Sequence, residues 1–537
     1  MHIIIGAETE YGIFGRSEKH GYITEDFSLA AEVVGSIEYL HPVFKRPLEG
    51  IKNEKEHRMA ELGLFKKMAD LLRKPISAAM AQRYGMSGMV LSNGARFYVD
   101  CKHPEYSIPE TSNPKDALIA QKAGDFIVNE CRKKAEDVLR SEKSPLFARR
   151  LQHPTLEIRI DRTNSDGKKS SYAGHENYSV SPEVFRRLVG RAFRPGGDLS
   201  PVFMTFLAAR QIIAGAGKVG FESGKPISFQ ISARADFIER EINSSTIDFR
   251  PIINTRDIPY ADGRFIRRLH VICGDSNMSQ LSLFLKFGLT ALFLMMLEDG
   301  FLERNESVFN RPLSDPVRSY RNVSRDLTLK HEMFFAGGVK KTALEVMAET
   351  SELMDKFVSE KALSKVWLEV AEKFKGVING FYGNRHQNEF SRNLDWVVKE
   401  RLLEDLVRRK NIGWDHHECF ALNLRYHNID PDSKISVFHR LEKKGEIARI
   451  VSENEIKGAV LSPPNDTRAS LRGYLAANHP ASIESIGWSY VLFKDGTLVN
   501  LDDPRGFDVF SVARDRGSLG LLRQVIDVCR RGLSDAR

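Results

Sequence analysis

The chain reads as an α+β protein, with one large sheet domain carrying helices and a smaller C-terminal segment after it. Three observations predict this. Short runs with strand character recur at 2–10, 92–100 and 155–161, where alternate side chains leave opposite faces. Stretches with helical spacing fill 113–142, 198–214 and 340–410. The longest apolar run, 281–297, is broken by Lys286 and Gly288 and is short for a bilayer crossing, so it reads as a buried helix in a chain of 537 residues that can enclose a large core.

Composition narrows the class. Apolar content of 42% and charged content of 28% are those of a globular protein. Five widely spaced cysteines argue for a reducing cytoplasmic setting rather than a disulfide framework. The first residues lack the plan of a signal peptide, and no membrane association is expected. The net charge of +8 and pI near 9.0 raise the question of nucleic acid. The basic clusters Arg149-Arg150, Arg186-Arg187, Arg267-Arg268 and Arg408-Arg409-Lys410 carry no interleaved aromatics, however, so no nucleic acid is expected. An acidic protein partner suits such a surface equally well.

In chain order, His2–Ile5 is an apolar run leading into Glu8 and Glu10, which share one strand face. Carboxylate pairs beside a buried strand suit a hard divalent cation, and Mg²⁺ in turn bridges nucleotide phosphates. Residues 26–42 predict a helix. Residues 43–88 form a highly charged detour, read either as a solvated helical excursion or as a flap beside the site. The next strand places Arg96, Tyr98 and Asp100 on one face, with His103, Pro104 and Glu105 just beyond. That gathering of charge is costly to bury without a metal or phosphate.

A long helix follows from Asn113-Pro114, then the strand 155–161. His175 and Asn177 stand two apart in SSYAGHENYSV, where a structural histidine and a site histidine are both open. Gly215–Gly220 matches G-x-G-x-x-G but follows a helix and leads to a strand, which predicts a helix-ending turn instead of a dinucleotide loop. Arg234 and Arg256 fall just past strand ends, suited to phosphate or carboxylate, or to core ion pairs. His270 precedes Gly274-Asp275-Ser276-Asn277. Asp415–Cys419, DHHEC, reads as surface. From about residue 431 the smaller segment begins, with a strand expected from Trp488 to Leu492.

Together GAETEYGI, SNGARFYVD, HPEYSIPE, GHENY, INTRD, RLHVICGDSNMS and PPNDTRASLRG, ordered from residue 3 to about 490, resemble the Pup ligase and Pup deamidase/depupylase family, relatives of glutamine synthetase. The resemblance implies a curved, mostly antiparallel sheet of glutamine synthetase-like type, helices packed behind, and a catalytic domain over 1–430 with a small domain over 431–537. It also implies ATP and Mg²⁺ as cofactors, with Glu8, Tyr98, Glu105 and His270 as Mg²⁺ ligands. Arg96, Arg256 and Trp488 become nucleotide or phosphate contacts. Asp100 becomes the catalytic carboxylate, with Glu10, His175 and Arg234 orienting the reacting centre.

The implied partner is a small acidic ubiquitin-like modifier of the Pup type and its conjugates, with an indirect link to the proteasome. The implied activity is Mg–ATP-dependent removal of the modifier, or deamidation of its C-terminal glutamine, by an amidohydrolase. The alternative is the modifier's ligase, acting through a γ-glutamyl phosphate. SIPE at 107–110, DTRA at 466–469 and the 43–88 detour look like the deamidase branch; GDSNMS at 274–279 and DWVVK at 395–399 look like the ligase. Gln280, where an acid is expected, and Arg162-Thr163, where Lys-Asn is expected, depart from the family pattern.

Overall fold

A computed structural model describes residues 3–24, 26–37, 89–141, 149–165, 171–172, 174–190, 197–220, 227–256, 258, 260–480, 482–494, 496 and 498–505. The expected 43–88 flap lies outside these residues.

The strands in order are β1 (Ile5–Glu10), β2 (Gly12–Ser17), β3 (Gly21–Thr24), β4 (Met89–Val90), β5 (Arg96–Asp100), β6 (His103–Ser107), β7 (Glu157–Asp161), β8 (Gly174–Val180), β9 (Lys218–Val219), β10 (Phe229–Gln230), β11 (Arg240–Asn243), β12 (Pro251–Asn254) and β13 (Arg267–Val271). The main sheet runs β11-β12-β13-β8-β1-β6-β5-β4, and β2 lies between β3 and β7 in a second sheet. In the main sheet every neighbouring pair is antiparallel except β11–β12. The architecture is therefore α+β, built on a mostly antiparallel sheet.

Period-two alternation divides the two faces of this sheet. Ile5, Ala7, Phe97, Tyr106, Tyr178, Leu269 and Val271 are buried on the back, where the helices Pro114–Arg140, Ser200–Ala214 and Gln280–Glu298 pack. The first of these starts as its sequence predicts: Asn113 Oδ1 accepts from the backbone N–H groups of Lys115 and Asp116, with Pro114 in the first turn. The apolar helix Gln280–Glu298 is buried within the protein along its whole apolar run. From the sheet itself a carboxylate, Glu176, enters the back layer. Glu176 is held by both terminal nitrogens of Arg210, at 2.6 and 2.8 Å, and by Tyr178 Oη. A buried charge needs such partners.

The glycine run after Ala214 ends a helix, as its context predicts. Gly217 and Gly220 take φ of +71° and +85°, and a Cβ on Gly217 would meet the Phe229 ring at 2.5 Å. Gln280 also finds its reason: its Oε1 accepts from the backbone of Ile450 at 2.7 Å and Val451 at 2.9 Å. Residues 437–447 pack with Met278 and Val398 of the large body. A separate small core joins helix Ala469–Asn478 to the strands Ile483–Ile486, Tyr490–Phe493 and Leu498–Asn500.

Candidate active site

The polar residues gather on the front face because register aligns them. β1 pairs Glu10 with Glu105 and Glu8 with Ser107 on one side, and Glu8 with His175 on the other. β5 pairs Tyr98 with Glu105 and Asp100 with His103; β13 pairs His270 with Asn177. Directly opposed residues share a face, so five strands contribute to one polar surface.

Two clusters stand side by side on it. In the first, carboxylate oxygens of Glu10, Asp100 and Glu105 lie within 4.8 Å of one another. Tyr98 Oη donates to Glu105 Oε1 and lies 3.2 Å from Ser107 Oγ. Burial, then the charges of Glu10, Asp100 and Glu8, push the Glu105 carboxyl well above its usual range. Burial and Glu105 push the Tyr98 phenol up as well. The two residues between Asp100 and His103 close the β5–β6 hairpin, with Cys101 at a left-handed φ of 52°, a strained conformation for a residue with a Cβ.

In the second cluster, Glu8, His175 and His270 offer ligand atoms within 4.8 Å of one another. Glu8 Oε2 is 3.3 Å from His175 Nδ1, and Glu8 Oε1 accepts from Asn177 Nδ2 at 3.1 Å and Arg268 Nη1 at 3.4 Å. Burial alone would raise the Glu8 carboxyl, but the two histidines and Arg268 hold it well below its usual range. His270 is 3% exposed, and neither ring nitrogen has a hydrogen-bond partner among the described residues. Its Nε2 stands 3.7 Å from Glu8, too long for a hydrogen bond. Burial lowers it to about 4, so it is neutral near pH 7 with a lone pair to offer.

These donor sets fit hard divalent cations. Carboxylates that crowd one another and a buried imidazole with no hydrogen bond among the described residues are both satisfied by an ion that accepts oxygen and imidazole ligands.

Arg234 is placed by its own backbone. Asp275 accepts from the N–H groups of Ala216, Ala233 and Arg234 at 2.7, 2.8 and 3.0 Å, and from Ser232 Oγ at 2.9 Å. The Arg234 guanidinium, 1% exposed, donates to Ser171 Oγ and the Ile272 carbonyl, and its Nε has no partner among the described residues. Burial and Arg250 lower it to about 10, while Glu10 pulls the other way. Arg256 differs. It is exposed beyond the end of β12, with its backbone N–H on Asn254 Oδ1.

An open pocket adjoins Glu8, lined also by Ser107, Asn177, Tyr260, Ile266, Arg268, Arg468 and Trp488. Trp488 sits in the turn before the strand Tyr490–Phe493 rather than inside a strand, since that strand starts two residues later than expected. Arg96 lies 5.9 Å from its ring and Arg472 4.7 Å. Aromatic and aliphatic walls with converging arginines suit a flat base joined to phosphates.

Asn177 and Arg268 hold Glu8, yet the sequence reading gave neither a site role. Their signal was present, because Arg268 and His270 share a face in RRLHV as His175 and Asn177 do in HENYS. DHHEC lies at the surface as expected, with His417 exposed and His416 and Glu418 half-buried. His416 precedes the helix His417–Tyr426, and His416, His417 and Glu418 bring ligand atoms within 4.8 Å. Lys410 already occupies the Glu418 carboxylate, at 2.6 and 2.7 Å.

Among known proteins the chain is similar to a depupylase of Acidothermus cellulolyticus, 35% identical over 92% of this chain and 91% of the relative. It is also similar to a Pup–protein ligase of Acidimicrobium ferrooxidans, 32% identical over 86% of this chain and 96% of the relative. Among solved structures it resembles the ligase PafA in complex with Pup, with TM-score 0.74 and 26% identity over 98% of this chain and 91% of the other. PafA in complex with ADP gives TM-score 0.69 and 28% identity over 87% and 94%. A family model described as Pup-ligase protein matches residues 3–492, spanning both clusters, the arginine loop and Trp488. The chain belongs to the Pup-ligase protein family.

Proposed function

We propose that this protein is a Mg–ATP-dependent amidohydrolase that deamidates the C-terminal glutamine of a Pup-like modifier and cleaves the modifier from substrate lysines. The observation that carries the reading is the Glu10/Asp100/Glu105 cluster beside a pocket that Glu8 borders. Similarity to PafA solved with ADP and with Pup supports the nucleotide and the modifier as ligands.

Glu8, His175 and His270 would hold one cation, and Glu10 and Glu105, with Tyr98 bonded to Glu105, would hold the other beside Asp100. Bound Mg²⁺ supplies positive charge for nucleotide phosphates and for an oxyanion. Trp488 and Arg96 hold the base end of the nucleotide. Arg256, exposed past the end of β12, is the phosphate contact. Arg234, aimed by Asp275, stabilises negative charge where the amide oxygen gains it. Asp100 either attacks the amide carbon or takes the proton of an attacking water. The C–N bond breaks, water supplies the oxygen of the new carboxylate, and ammonia or the lysine amine leaves with the proton.

Incubation with ATP, Mg²⁺ and a modifier ending in glutamine should give the deamidation mass shift, and a modifier–lysine conjugate should release free modifier. Joining of a glutamate-ended modifier to lysines, with no release, would establish the ligase activity that the relative from Acidimicrobium carries in its name.

A further inference from the structure

The pocket wall opposite the sheet is held by a buried ion cluster that none of the roles above includes. Glu110, just past β6, accepts from Arg468 Nε at 2.7 Å and from Arg472 Nη1 at 3.1 Å on Oε1, and from Arg472 Nη2 on Oε2. All three residues are buried. Each arginine also grips a wall. Arg468 Nη1 donates to the carbonyls of Tyr260 and Leu501, and Arg472 donates to the Trp488 carbonyl at 3.1 Å while lying 4.7 Å from its ring. Arg472 further donates to the Gly94 carbonyl, at 3.2 Å from Nε and 2.7 Å from Nη2, in the turn before β5.

We infer that Glu110 is a positioning residue for the nucleotide: through Arg472 it sets Trp488, through Arg468 it sets Tyr260, and it thereby ties occupancy of the pocket to docking of the segment 468–501 on the sheet. The inference rests on the nucleotide reading of this pocket. Two physical points support it. A ligand that touches both the sheet side (Glu8, Ser107) and the segment side (Trp488, Arg468) binds fully only when they are docked, so binding and docking are linked and the linkage is reciprocal. One carboxylate facing two guanidiniums also leaves a positive charge on the wall, which suits an anionic ligand.

A double-mutant cycle between E110Q and W488A tests it, read as the Kd for a fluorescent ATP analogue with Mg²⁺. In the otherwise native protein E110Q is expected to weaken binding about tenfold, and in the W488A background about twofold, because contacting groups couple. The KM for nucleotide should rise by a larger factor than kcat falls. Equal factors in both backgrounds, or no change in Kd, overturn the inference. R472K, which keeps the charge but loses the planar fork, runs the same cycle if E110Q does not fold. Failure of the unsubstituted protein to bind the analogue removes the nucleotide reading itself, and is thereby distinguished from failure of the Glu110 role.

Discussion

Glu105 and Glu110 stand five positions apart, both buried, at 3% and 8% exposure, and their surroundings are opposite. Burial pushes each carboxyl toward the neutral form. At Glu110 the charges of Arg472 and Arg468 overcome that and bring it down to about 2. At Glu105 the neighbours are Glu10, Asp100 and Glu8, which add to burial and push it well above the usual range. One acid is matched by the protein itself. The other is crowded by acids, the state expected where a cation from outside completes the site. The contrast separates a residue that positions structure from residues set aside for chemistry, since unrelieved like charges are tolerated where function requires them.

The largest expected effect breaks the functional side alone. Asp100→Asn should lower amide cleavage at least about a thousandfold while nucleotide Kd moves less than about threefold. Retained cleavage in a steady-state assay would remove Asp100 from the reaction. Glu110→Gln should cost about 3–5 kcal/mol, because it leaves buried guanidiniums uncompensated. A urea-melt difference below about 1 kcal/mol would mean that the clamp contributes no more than a surface pair.

The pH dependence has a definite sign. Glu110, depressed to about 2 when folded, contributes stability that is present above its unfolded pKa and lost as pH falls through the folded value. Up to about 3 kcal/mol should therefore disappear between about pH 4.5 and pH 2, and Glu110→Gln should remove that part of the acid transition.

The smallest effect has the opposite sign to the second. With a chelator present, Glu105→Gln should stabilise the protein by about 1 kcal/mol by relieving repulsion. The gain should widen as pH rises, since an acid with a raised folded pKa loses stability in that direction. Added Mg²⁺ should then raise Tm less for the variant than for the native chain. Destabilisation by Glu105→Gln in chelator would erase the contrast with Glu110.

Much of the site was legible residue by residue. Glu8 with Glu10, the Arg96/Tyr98/Asp100 set, and His175 with Asn177 each share a face through strand geometry, which needs no tertiary information. The helix start at Asn113-Pro114 was legible for the same reason, as was the helix stop in Gly215–Gly220: caps and turns are local chemistry. Arg468 and Arg472 were legible only as part of a family motif. Their partner Glu110 lies more than 350 positions away in sequence, and no local pattern announces a pairing at that distance. Gly124 is similar. A Cβ there would meet the Tyr106 ring at 2.3 Å, a constraint set by the helix lying on the sheet.

By itself the sequence determined which side chains leave each strand together, where helices begin and end, and which residue types are on hand for oxygen-ligand chemistry, because backbone geometry and capping act over a few residues. Only the tertiary structure decided that β8, β1, β6 and β5 lie adjacent, so that Glu105 meets Glu10 and Glu8 meets His175, and that Glu110 meets two arginines instead of more acids. Strand order and burial set those neighbours, and for a carboxylate out of water the neighbours decide whether it stays charged.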